Sequence, residues 1–489
     1  MSFHRVVFVV GLLCALPAAT QAPPSLDAPQ PERIDARGLR AVISANGVSI
    51  DNVTARIEQG RVTLTGQVPS YAERERAEEA VSRIRGVTAV SNQLVVAAPR
   101  ISDDALRASV ERALKNDPAT DEYQVTVMAQ NGVARLSGRV DSFQEKILAQ
   151  RIAGRVEGVR DVDNQLQIRP PVDRNDAALS ADVQQRLRMD ARLDDDRIKV
   201  GAAAGKVVLW GEVNSLFDKG AAIAHAFAAG ARVVDSDGLH VEHSKRAQAP
   251  STPKHFAVGP GGQVGNLKAD VVGAAIKAAL IADPRVKGHQ IDVDVKDGTA
   301  TLSGIVDNLP AKLAALDDAR AIAGISETID HINVAPRTVS DAVLKEAIGR
   351  AILRERGLQA GEVNVDVAKG RVTLRGRVDS YDERRRAIDA ASAVAGVVAV
   401  DDSIEIERMA AAKKSDVQLA KDIHQQLVWS PYVDADDVSV SVADGVAVLT
   451  GDVDSWFEKE KAEEYALQAG AFRVDNKLRV APGAPEKPR

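Results

Sequence analysis

The amino-acid sequence predicts an α/β protein in which one small module, with the element order α-β-β-α-β, is repeated six times in tandem. Every copy contains a Leu-x-Gly-x-Val pattern and, nineteen or twenty residues after its glycine, a second glycine. A strand-helix-strand crossover between the glycines favours parallel pairing, so each module is predicted to form a three-stranded mixed sheet with two helices on one face. The structural signature glycines are Gly66, Gly86, Gly138, Gly158, Gly211, Gly230, Gly304, Gly324, Gly376, Gly396, Gly451 and Gly470.

The first element of the module is predicted to be a helix. In the sixth copy, Leu419, Ile423 and Leu427 keep the four-residue spacing that lines one face of a helix. Ser415 stands just ahead of this run and is typical of a helix N-cap. The second and fifth copies show the same spacing and the same preceding serine.

Two strands joined by a tight turn are predicted to follow the first helix. In the sixth copy, Val438, Val440 and Val442 alternate with serines, which places the apolar side chains on one face of a strand. The pair Asp444-Gly445 supplies the positive φ that a two-residue hairpin turn requires. The second strand then carries the Leu-x-Gly-x-Val pattern.

The second helix is predicted to open with a capping box, in which a serine accepts from the third helical amide and a glutamate reaches back. The third copy pairs Ser215 with Asp218, and the fourth departs from the pattern at Asn308. The second glycine fits a left-handed cap at the end of this helix, and a third strand follows. The complete boxes are Ser70 with Glu73, Ser142 with Glu145, Ser380 with Glu383, and Ser455 with Glu458.

The copies divide the chain into modules, with one longer connection that is rich in Pro, Gly and Ser. This connection, residues 244–266, is predicted to be a flexible linker, so that the array consists of two triplets of modules. We also predict a signal peptide at residues 1–22, disorder at 23–34 and a tail at 483–489. The predicted modules are residues 35–97, 102–169, 174–243, 267–335, 339–407 and 415–482.

The N-terminus is predicted to direct export. His4 and Arg5 precede an apolar run, and small residues follow it up to Ala22, near which cleavage is expected. The only cysteine, Cys14, lies inside this run, so the cleaved chain would contain no thiol. Acylation of Cys14 is the alternative, and Leu13 disfavours it because lipoprotein signals carry a small residue there. No later segment holds the ~18 apolar residues that a membrane-spanning helix needs.

The sequence contains no recognisable catalytic or metal-binding group. The repeated Asp-Ser-aromatic step, such as Asp141-Ser142-Phe143, has no histidine beside it to act as a base. His240 and His243 are spaced to point to opposite faces of a predicted strand, and zinc would need further ligands. The formal net charge of −6 also argues against nucleic-acid binding. We therefore predict no catalytic residue, metal, cofactor, nucleic acid or small-molecule substrate.

Two further patterns are interpreted as structural. Arg384 to Arg386 share a predicted helix with acidic residues, which is typical of a solvated face of mixed charge. The glycines between Gly259 and Gly265 follow no strand and open no helix, so a phosphate-binding loop is not predicted there.

Aromatic residues are concentrated in the last copy, which holds six of the sixteen in the chain. Amphipathic aromatic side chains suit a membrane interface or a protein partner. Trp429 and Tyr432 lie just beyond the first helix of this copy and are the least easily assigned to a core. We therefore name Trp429 and Tyr432 as candidate contacts with lipid or a partner. The alternative is that a terminal module fills its own core with larger side chains.

The order of elements, the two glycines at this spacing, the hairpin turn and the capped helix resemble the BON domain, named for bacterial osmotically inducible and nodulation proteins. The resemblance covers roughly residues 35 to 482. It implies a periplasmic or envelope-attached protein, linked with osmotic or envelope stress, that binds phospholipid or envelope components without catalysis. The chain departs from the family in its six copies and in the short opening helix of the first, around Leu39 to Ile43.

Two functions fit these observations. The leading hypothesis is a non-catalytic periplasmic binding or scaffolding protein that contacts a phospholipid membrane surface or envelope proteins. Its repeated modules would offer several weak contacts that add by avidity. The alternative is a structural accessory that docks proteins in a secretion or surface assembly.

Overall fold

The predicted signal peptide, the predicted disordered segment and the predicted C-terminal tail lie outside the described residues. The computed structural model describes residues 36–117, 119–120, 124–168, 175–241, 258–259, 263–264, 267–286, 290–325, 327–336, 339–355, 358, 362–406, 414–453 and 456–480.

Two helices belong to each module, so that α1 and α2 are in module 1 and α11 and α12 are in module 6. The helices of the described residues are α1 (Ala36–Ala45), α2 (Tyr71–Ser82), α3 (Asp103–Asn116), α4 (Phe143–Gly154), α5 (Asp176–Met189), α6 (Leu216–Ala228), α7 (Ala269–Ala282), α8 (Leu309–Arg320), α9 (Asp341–Arg354), α10 (Tyr381–Ser392), α11 (Asp416–Trp429) and α12 (Trp456–Gln468).

The strands alternate with these helices in the predicted order. Those of modules 1 to 3 are β1 (Val53–Glu58), β2 (Arg61–Val68), β3 (Ala89–Val96), β4 (Gln124–Gln130), β5 (Val133–Val140), β6 (Asp161–Asn164), β7 (Gln167–Ile168), β8 (Ile198–Ala203), β9 (Lys206–Val213) and β10 (Val233–Val241). Those that follow are β11 (Val258–Gly259), β12 (Gln263–Val264), β13 (Leu267–Lys268), β14 (Gln290–Lys296), β15 (Thr299–Val306), β16 (Glu327–Val334), β17 (Val363–Ala368), β18 (Arg371–Val378), β19 (Ala399–Ile406), β20 (Val438–Ala443), β21 (Val446–Val453) and β22 (Arg473–Val480).

Each module contains the predicted mixed sheet. In module 1, β1 pairs antiparallel with β2 and β3 pairs parallel with it, so Gly66 of the central strand lies between Val53 and Leu94. Module 2 differs because its third strand is divided into β6 and β7. In module 3 the register of β10 shifts between Asp235 and Gly238. The predicted fold class is confirmed: the chain is mixed α/β, with six repeated modules that each combine a three-stranded mixed sheet with helices.

The two helices of a module cover one face of its sheet. In module 1, Val62 and Leu64 of the central strand are buried together with Leu39 of α1 and Val81 of α2. Thr63 between them points to the other side and is partly exposed, because successive side chains of a strand alternate. We call the side of each sheet that its own helices leave uncovered the open face.

The hairpin turns have the predicted conformation, and in modules 2, 3, 5 and 6 an aspartate of the first helix bonds the turn. Asp444 and Gly445 have φ angles of 52° and 74°. Their amides donate to the two carboxylate oxygens of Asp416 in the first turn of α11, each over 2.9 Å. Asp341 accepts the same pair of bonds in module 5, and these bonds lower its pKa below the usual range. The sequence reading assigned only an N-cap to this segment and missed the bridging role of the aspartate.

The serine caps of the second helices are present, and their glutamates also bond backbone amides outside the cap. The Glu145 amide donates to Ser142 Oγ over 3.1 Å, and its carboxylate accepts from the amide of Asp141 over 2.8 Å. The equivalent Glu73 of module 1 accepts from the amide of Ser49, in the loop before β1, over 3.4 Å. The glutamate therefore also holds the residue before the cap in module 2 and the loop after the first helix in module 1.

The second helices of modules 3 and 4 also have a side-chain cap, although the residues of the box differ. Ser215 Oγ accepts from the amide of Asp218 over 3.1 Å, and Asn308 Oδ1 accepts from the amide of Ala311 over 2.8 Å. The shorter Asp218 side chain is buried within the structure. The predicted cap Ser455 of module 6 lies outside the described residues.

Replacing Ser142 with alanine is expected to lower the free energy of unfolding of module 2 by about 1 kcal/mol, because it removes the acceptor for a helical amide. Ser340 provides the matched control, since it caps α9 without a side-chain cap bond. Hydrogen exchange of the helix that each serine caps, α4 for Ser142 and α9 for Ser340, measures the effect. An equal loss of protection in S142A and S340A would contradict the assignment of the energy to the cap bond.

Residues at the start of the second helix reach into neighbouring modules. Tyr71 of module 1 packs in the core of module 2, and Leu309 of module 4 packs in the core of module 5. Phe143 of module 2 stacks on Phe227 of module 3 with ring centroids 4.7 Å apart. Leu216 of module 3 packs against the core of module 1. Modules 1, 2 and 3 therefore contact one another pairwise and form a closed triplet.

The two triplets contact each other directly. The Ala323 amide of module 4 donates to the carbonyl of Met189 in module 3 over 2.7 Å. The Arg85 amide of module 1 donates to the carbonyl of Trp429 in module 6 over 3.1 Å. Met189 and Trp429 are the last residues of α5 and α11. Both contacts are therefore of the same type, in which the end of a first helix bonds a backbone amide of the other triplet. We call these two contacts, with the side chains around them, the seam between the triplets.

The segment that joins the triplets is described only in part. Within the predicted linker, Val258–Gly259 and Gln263–Val264 pair with each other, and the second of them pairs with Leu267–Lys268. The remainder of residues 244–266 lies outside the described residues. The sequence indicated two triplets but not the seam that brings them together.

Candidate functional site

Trp429, a candidate contact from the sequence, lies at the seam. It is the last residue of α11, and its ring packs against the core of module 1. The indole Nε1 is buried, and no hydrogen-bond partner is present for it among the described residues. The ring therefore joins module 6 to module 1.

Tyr432, the second candidate contact, lies among aromatic rings of two modules. Its ring meets Phe217 of module 3 edge-on at 6.5 Å between centroids and Phe457 of module 6 at 5.3 Å. Burial, with a smaller contribution from the charge of Asp218, raises the pKa of Tyr432 well above its usual value. The lipid contact stays a prediction for both residues, but the structure gives their side chains a packing role between modules.

Arg83 of module 1 completes this aromatic junction. Its guanidinium lies 4.2 Å from the centroid of the Phe217 ring, a cation–π contact between modules 1 and 3. It also pairs with Glu79 over 2.5 Å. Burial is the largest single effect and acts to raise the pKa of Glu79, but the charge and hydrogen bond of Arg83, together with the charges of Arg151 and Arg385, lower it. The cation is therefore neutralised within its own helix.

A small polar cavity lies beside this junction, between the helices of modules 1 and 6. Its volume is about 40 Å³, which suits one or a few water molecules and is too small for a metabolite. The basic side chains at its wall are balanced by Glu464, which pairs with Lys461 over 2.6 Å. The polar lining includes Asn46, Arg83, Gln426, Trp429, Lys461 and Gln468. This arrangement can hold water at the seam but does not provide a substrate pocket.

A buried ion pair marks the other contact of the seam, between modules 3 and 4. Arg192 Nη2 and Nε donate to the two carboxylate oxygens of Asp190 over 2.5 and 2.8 Å. His225 Nε2 lies 2.7 Å from the same carboxylate. Burial is the largest single effect on Asp190 and opposes its ionisation, but the charges and hydrogen bonds of Arg192 and His225 together outweigh burial and hold the pKa of Asp190 far below its usual value. By position after the start of α5 and α11, Asp190 and Arg192 correspond to Ser430 and Tyr432 of module 6.

The twelve signature glycines stand at positions where the backbone requires a glycine. A Cβ on Gly66 would lie 1.8 Å from the carbonyl oxygen of Asn52, and one on Gly211 would lie 2.0 Å from that of Arg197. Glycines after the second helix, such as Gly86 and Gly230, have φ angles of 78° and 105°. These contacts and angles supply a structural reason for the glycines without a ligand.

The histidine pair gives no metal site within the described residues. His240 is exposed on β10, while His243 lies outside the described residues. No group of three or more His, Cys, Asp or Glu side chains that could hold a metal ion occurs in the described part of the chain.

The arginine run is less solvated than its sequence pattern indicates. Arg384 Nε pairs with Asp402 of its own module over 2.6 Å. Arg385 Nη1 lies 3.7 Å from Glu464 of module 6, and both side chains are partly buried. The face is of mixed charge, as the sequence predicts, and Arg385 on it lies toward the neighbouring module.

The open faces differ strongly between modules, and that of module 3 carries an exposed tryptophan. Trp210 of β9 is 44% exposed, and Val233 on the adjacent strand is 54% exposed. Gly201 and Gly238 flank the indole, where a Cβ would come within 3.2 and 2.9 Å of the tryptophan side chain. The residues at the same place, just before the central-strand glycine, are Thr65, Ser137, Trp210, Ser303, Arg375 and Thr450. Comparing this single position across the six copies would have singled out Trp210 from the sequence.

Comparison with known proteins places these modules in a family. The family model of the BON domain matches residues 33–98, 102–170, 175–242, 269–336, 340–408 and 415–482. The chain is 30% identical over 141 residues to osmotically-inducible protein Y of Escherichia coli, covering 27% of this chain and 70% of that protein. It is 31% identical over 119 residues to outer membrane lipoprotein DolP of Haemophilus influenzae, covering 23% of this chain and 62% of that protein.

The solved structures with similarity include CdsD, a structural protein of the type III secretion system of Chlamydia trachomatis. The match covers 47% of this chain and 92% of that chain, with 14% identity and a TM-score of 0.13, and no argument rests on it. Among the described residues, no helix is long and apolar enough to cross a bilayer. The matches to the family model and to the two curated relatives show that the chain belongs to the BON domain family.

Proposed function

We propose that the protein is a non-catalytic, exported scaffold of the bacterial envelope that binds phospholipid or envelope components through the open faces of its sheets. The names of its relatives, an osmotically inducible protein and an outer membrane lipoprotein, support a role in the envelope and in osmotic stress. The predicted signal peptide supports a periplasmic location. The packing of the modules supports a scaffold that holds several binding faces in one body.

The observation that carries the proposal is the contrast between the two sides of the modules. Side chains at the starts of the second helices are used to join modules, as Tyr71 and Leu309 show. The open faces keep the same backbone but carry different side chains at their centres, from Trp210 in module 3 to Arg375 in module 5. Selective binding requires such differences, whereas the shared glycines and caps serve the fold.

The open face of module 3 is the best candidate for phospholipid contact. Trp210 and Val233 present an aromatic and an aliphatic side chain to solvent. Lys199 pairs with Trp210 in the sheet register, and the exposed Lys206 lies on the same strand as Trp210. An amphipathic ring near cationic side chains is typical of protein surfaces at the water–membrane interface. The sequence-based candidates Trp429 and Tyr432 are less suitable, because their rings already pack between modules.

Replacing Trp210 with serine, the residue at this position in modules 2 and 4, is expected to reduce flotation with anionic phospholipid vesicles several-fold. The change removes the ring that would enter the interface and leaves the fold intact, because Trp210 is 44% exposed. Phe472→Ser is the matched control, since Phe472 is 45% exposed and lies in module 6. Vesicles of zwitterionic lipid separate the contribution of the ring from that of the lipid charge.

Flotation of W210S at the wild-type level would overturn the assignment of the contact to this face. If the wild-type protein floats with neither vesicle, phospholipid binding is contradicted and docking of proteins in a secretion or surface assembly is favoured. A double change of Trp429 and Tyr432 to alanine tests the sequence-based contact. Its melting temperature must be recorded alongside, because both rings also join modules.

A further inference from the structure

Two carboxyl groups with incomplete hydrogen bonding lie buried at the seam. Asp218 of module 3 and Asp318 of module 4 each have one buried carboxylate oxygen with no hydrogen-bond partner among the described residues. Asp218 is the residue that replaces the capping glutamate of the other modules, and its side chain is 2% exposed. A buried carboxylate without full hydrogen bonding is costly when ionised.

The cations of the seam are already engaged by other acids. Arg192 makes its short bonds with Asp190, and Arg285 Nη2 pairs with Asp283 over 2.5 Å. These two arginines are the cations that also act on Asp318, while Arg192 alone acts on Asp218. The seam therefore contains more buried carboxyl groups than its arginines neutralise.

The surroundings of both carboxyl groups come from three modules. The charge of Asp218 acts on Tyr432 of module 6, and Asp318 is within the electrostatic reach of Arg192 of module 3. Both groups therefore lie where one triplet meets the other. The titratable and charged groups that act on them are Asp190 and Arg192 of module 3, Asp283, Arg285 and Asp317 of module 4, and Tyr432 and Tyr465 of module 6. The groups next to these are His225 of module 3, Arg320 of module 4, Glu460 and Lys461 of module 6, and Arg83 of module 1.

We propose that proton binding at Asp218 and Asp318 controls the docking of the two triplets, which close when these groups are neutral and separate when they are charged. Neutral carboxyl groups can be buried without a counter-ion, so the seam can stay closed while both aspartates are protonated. Two additional negative charges would repel Asp190, Asp283 and Asp317 across the same small volume.

The direction of the pH effect follows from the pKa values. Burial raises the pKa of Asp218 to about 7, with a smaller contribution from Asp190. Burial raises the pKa of Asp318 to about 8, assisted by Asp283 and Asp317. The closed seam therefore binds protons more tightly than the open one. Its contribution to stability is complete below the ordinary value of 3.8 and is lost as the pH rises through about 7 and about 8.

Small-angle X-ray scattering of the complete exported chain between pH 5.5 and 9 tests the proposal. The radius of gyration is expected to rise as the pH increases over this range and to stay constant above about pH 8, where both groups are ionised. Far-UV circular dichroism should stay constant, because the modules remain folded. The double variant Asp218→Asn and Asp318→Asn mimics the neutral groups and is expected to stay closed up to pH 9.

The control removes two carboxyl groups of the open faces, Asp235 and Asp401, which pair with Lys206 and Arg371. The variant Asp235→Asn with Asp401→Asn is expected to open at the same pH as the wild type. A wild-type radius that is constant from pH 5.5 to 9 would overturn the proposal, and it requires no variant to fold. A rise in the seam variant that follows the wild-type curve would overturn it as well.

Discussion

Replacing Gly66 with alanine is expected to destabilise module 1 by about 4 kcal/mol or more, a loss typical of the most disruptive single substitutions. The new Cβ would lie 1.8 Å from the carbonyl oxygen of Asn52. That carbonyl cannot move aside freely, because it accepts from the amide of Gln67 over 2.9 Å. The φ angle of 120° at Gly66 adds strain for any residue with a Cβ.

Gly86→Ala separates the steric clash from the backbone angle. Gly86 also has a positive φ, 78°, but no atom lies within 4 Å of its added Cβ. The control should therefore cost about 1–2 kcal/mol, the ordinary penalty of a left-handed residue. Native-state hydrogen exchange of residues 36–98 is the suitable measurement, because a chain of six modules need not unfold in one step. Equal losses in G66A and G86A would contradict the close approach at Gly66.

Replacing Arg192 with methionine is expected to cost about 3–5 kcal/mol at neutral pH, because it leaves a buried carboxylate without its main counter-ion. Asp190 is 3% exposed and accepts two short bonds from the guanidinium. The loss should appear in the melting temperature and in hydrogen exchange at the ends of α5 and α8, where Met189 bonds Ala323. The surface variant Arg371→Met, whose pair with Asp401 is exposed, should cost about 1 kcal/mol or less.

A second variant separates the lost charge pair from lost packing. Asp190→Ser combined with Arg192→Tyr introduces the residues that module 6 holds at the corresponding positions, Ser430 and Tyr432. Removing both charges avoids an unpaired buried carboxylate, so the double variant should be more stable than R192M alone. A double variant that is less stable than R192M would show that packing by the arginine stem, and not its charge, is the main contribution.

The Asp190 pair and the two seam carboxyl groups respond to opposite ends of the pH range. The pKa of Asp190 is far below its unfolded value, so its stabilising contribution is present at neutral pH and lost only in strong acid. Asp218 and Asp318 have raised pKa values, and their contribution is lost in weak base. These opposite pKa shifts together predict that the seam is most stable at mildly acidic pH.

The local structure was largely predictable because its signals are short in sequence. The Asp444-Gly445 turn and the Ser142 cap form from residues at most a few positions apart, and their side chains allow few alternatives. The acid Asp416 was missed because its bonds to the turn cross twenty-eight and twenty-nine residues. An aspartate that follows a cap serine in sequence is ambiguous, since it also suits the first turn of a helix.

The candidate site was harder to predict because burial is a property of the whole array. An aromatic pair in a loop is compatible with a lipid contact until a neighbouring surface covers it. Trp429 meets module 1, which lies more than three hundred residues earlier in the chain. Trp210, in contrast, stands within the most regular strand of the repeat and is nevertheless exposed. The position of Trp210 in the repeat predicts a strand but not which face of the sheet is covered.

The repeat, its α-β-β-α-β order and the places of its glycines and caps follow from the amino-acid sequence, because hydrophobic periodicity and backbone preferences act over a few residues. The joining of the modules does not follow from it. Each triplet interlocks through residues such as Tyr71, and the triplets meet at Met189 and Trp429. These contacts depend on matching surfaces far apart in the chain. Burial at the seam raises the pKa of Asp218 and of Asp318, and this shift could not be predicted from their identity as aspartates.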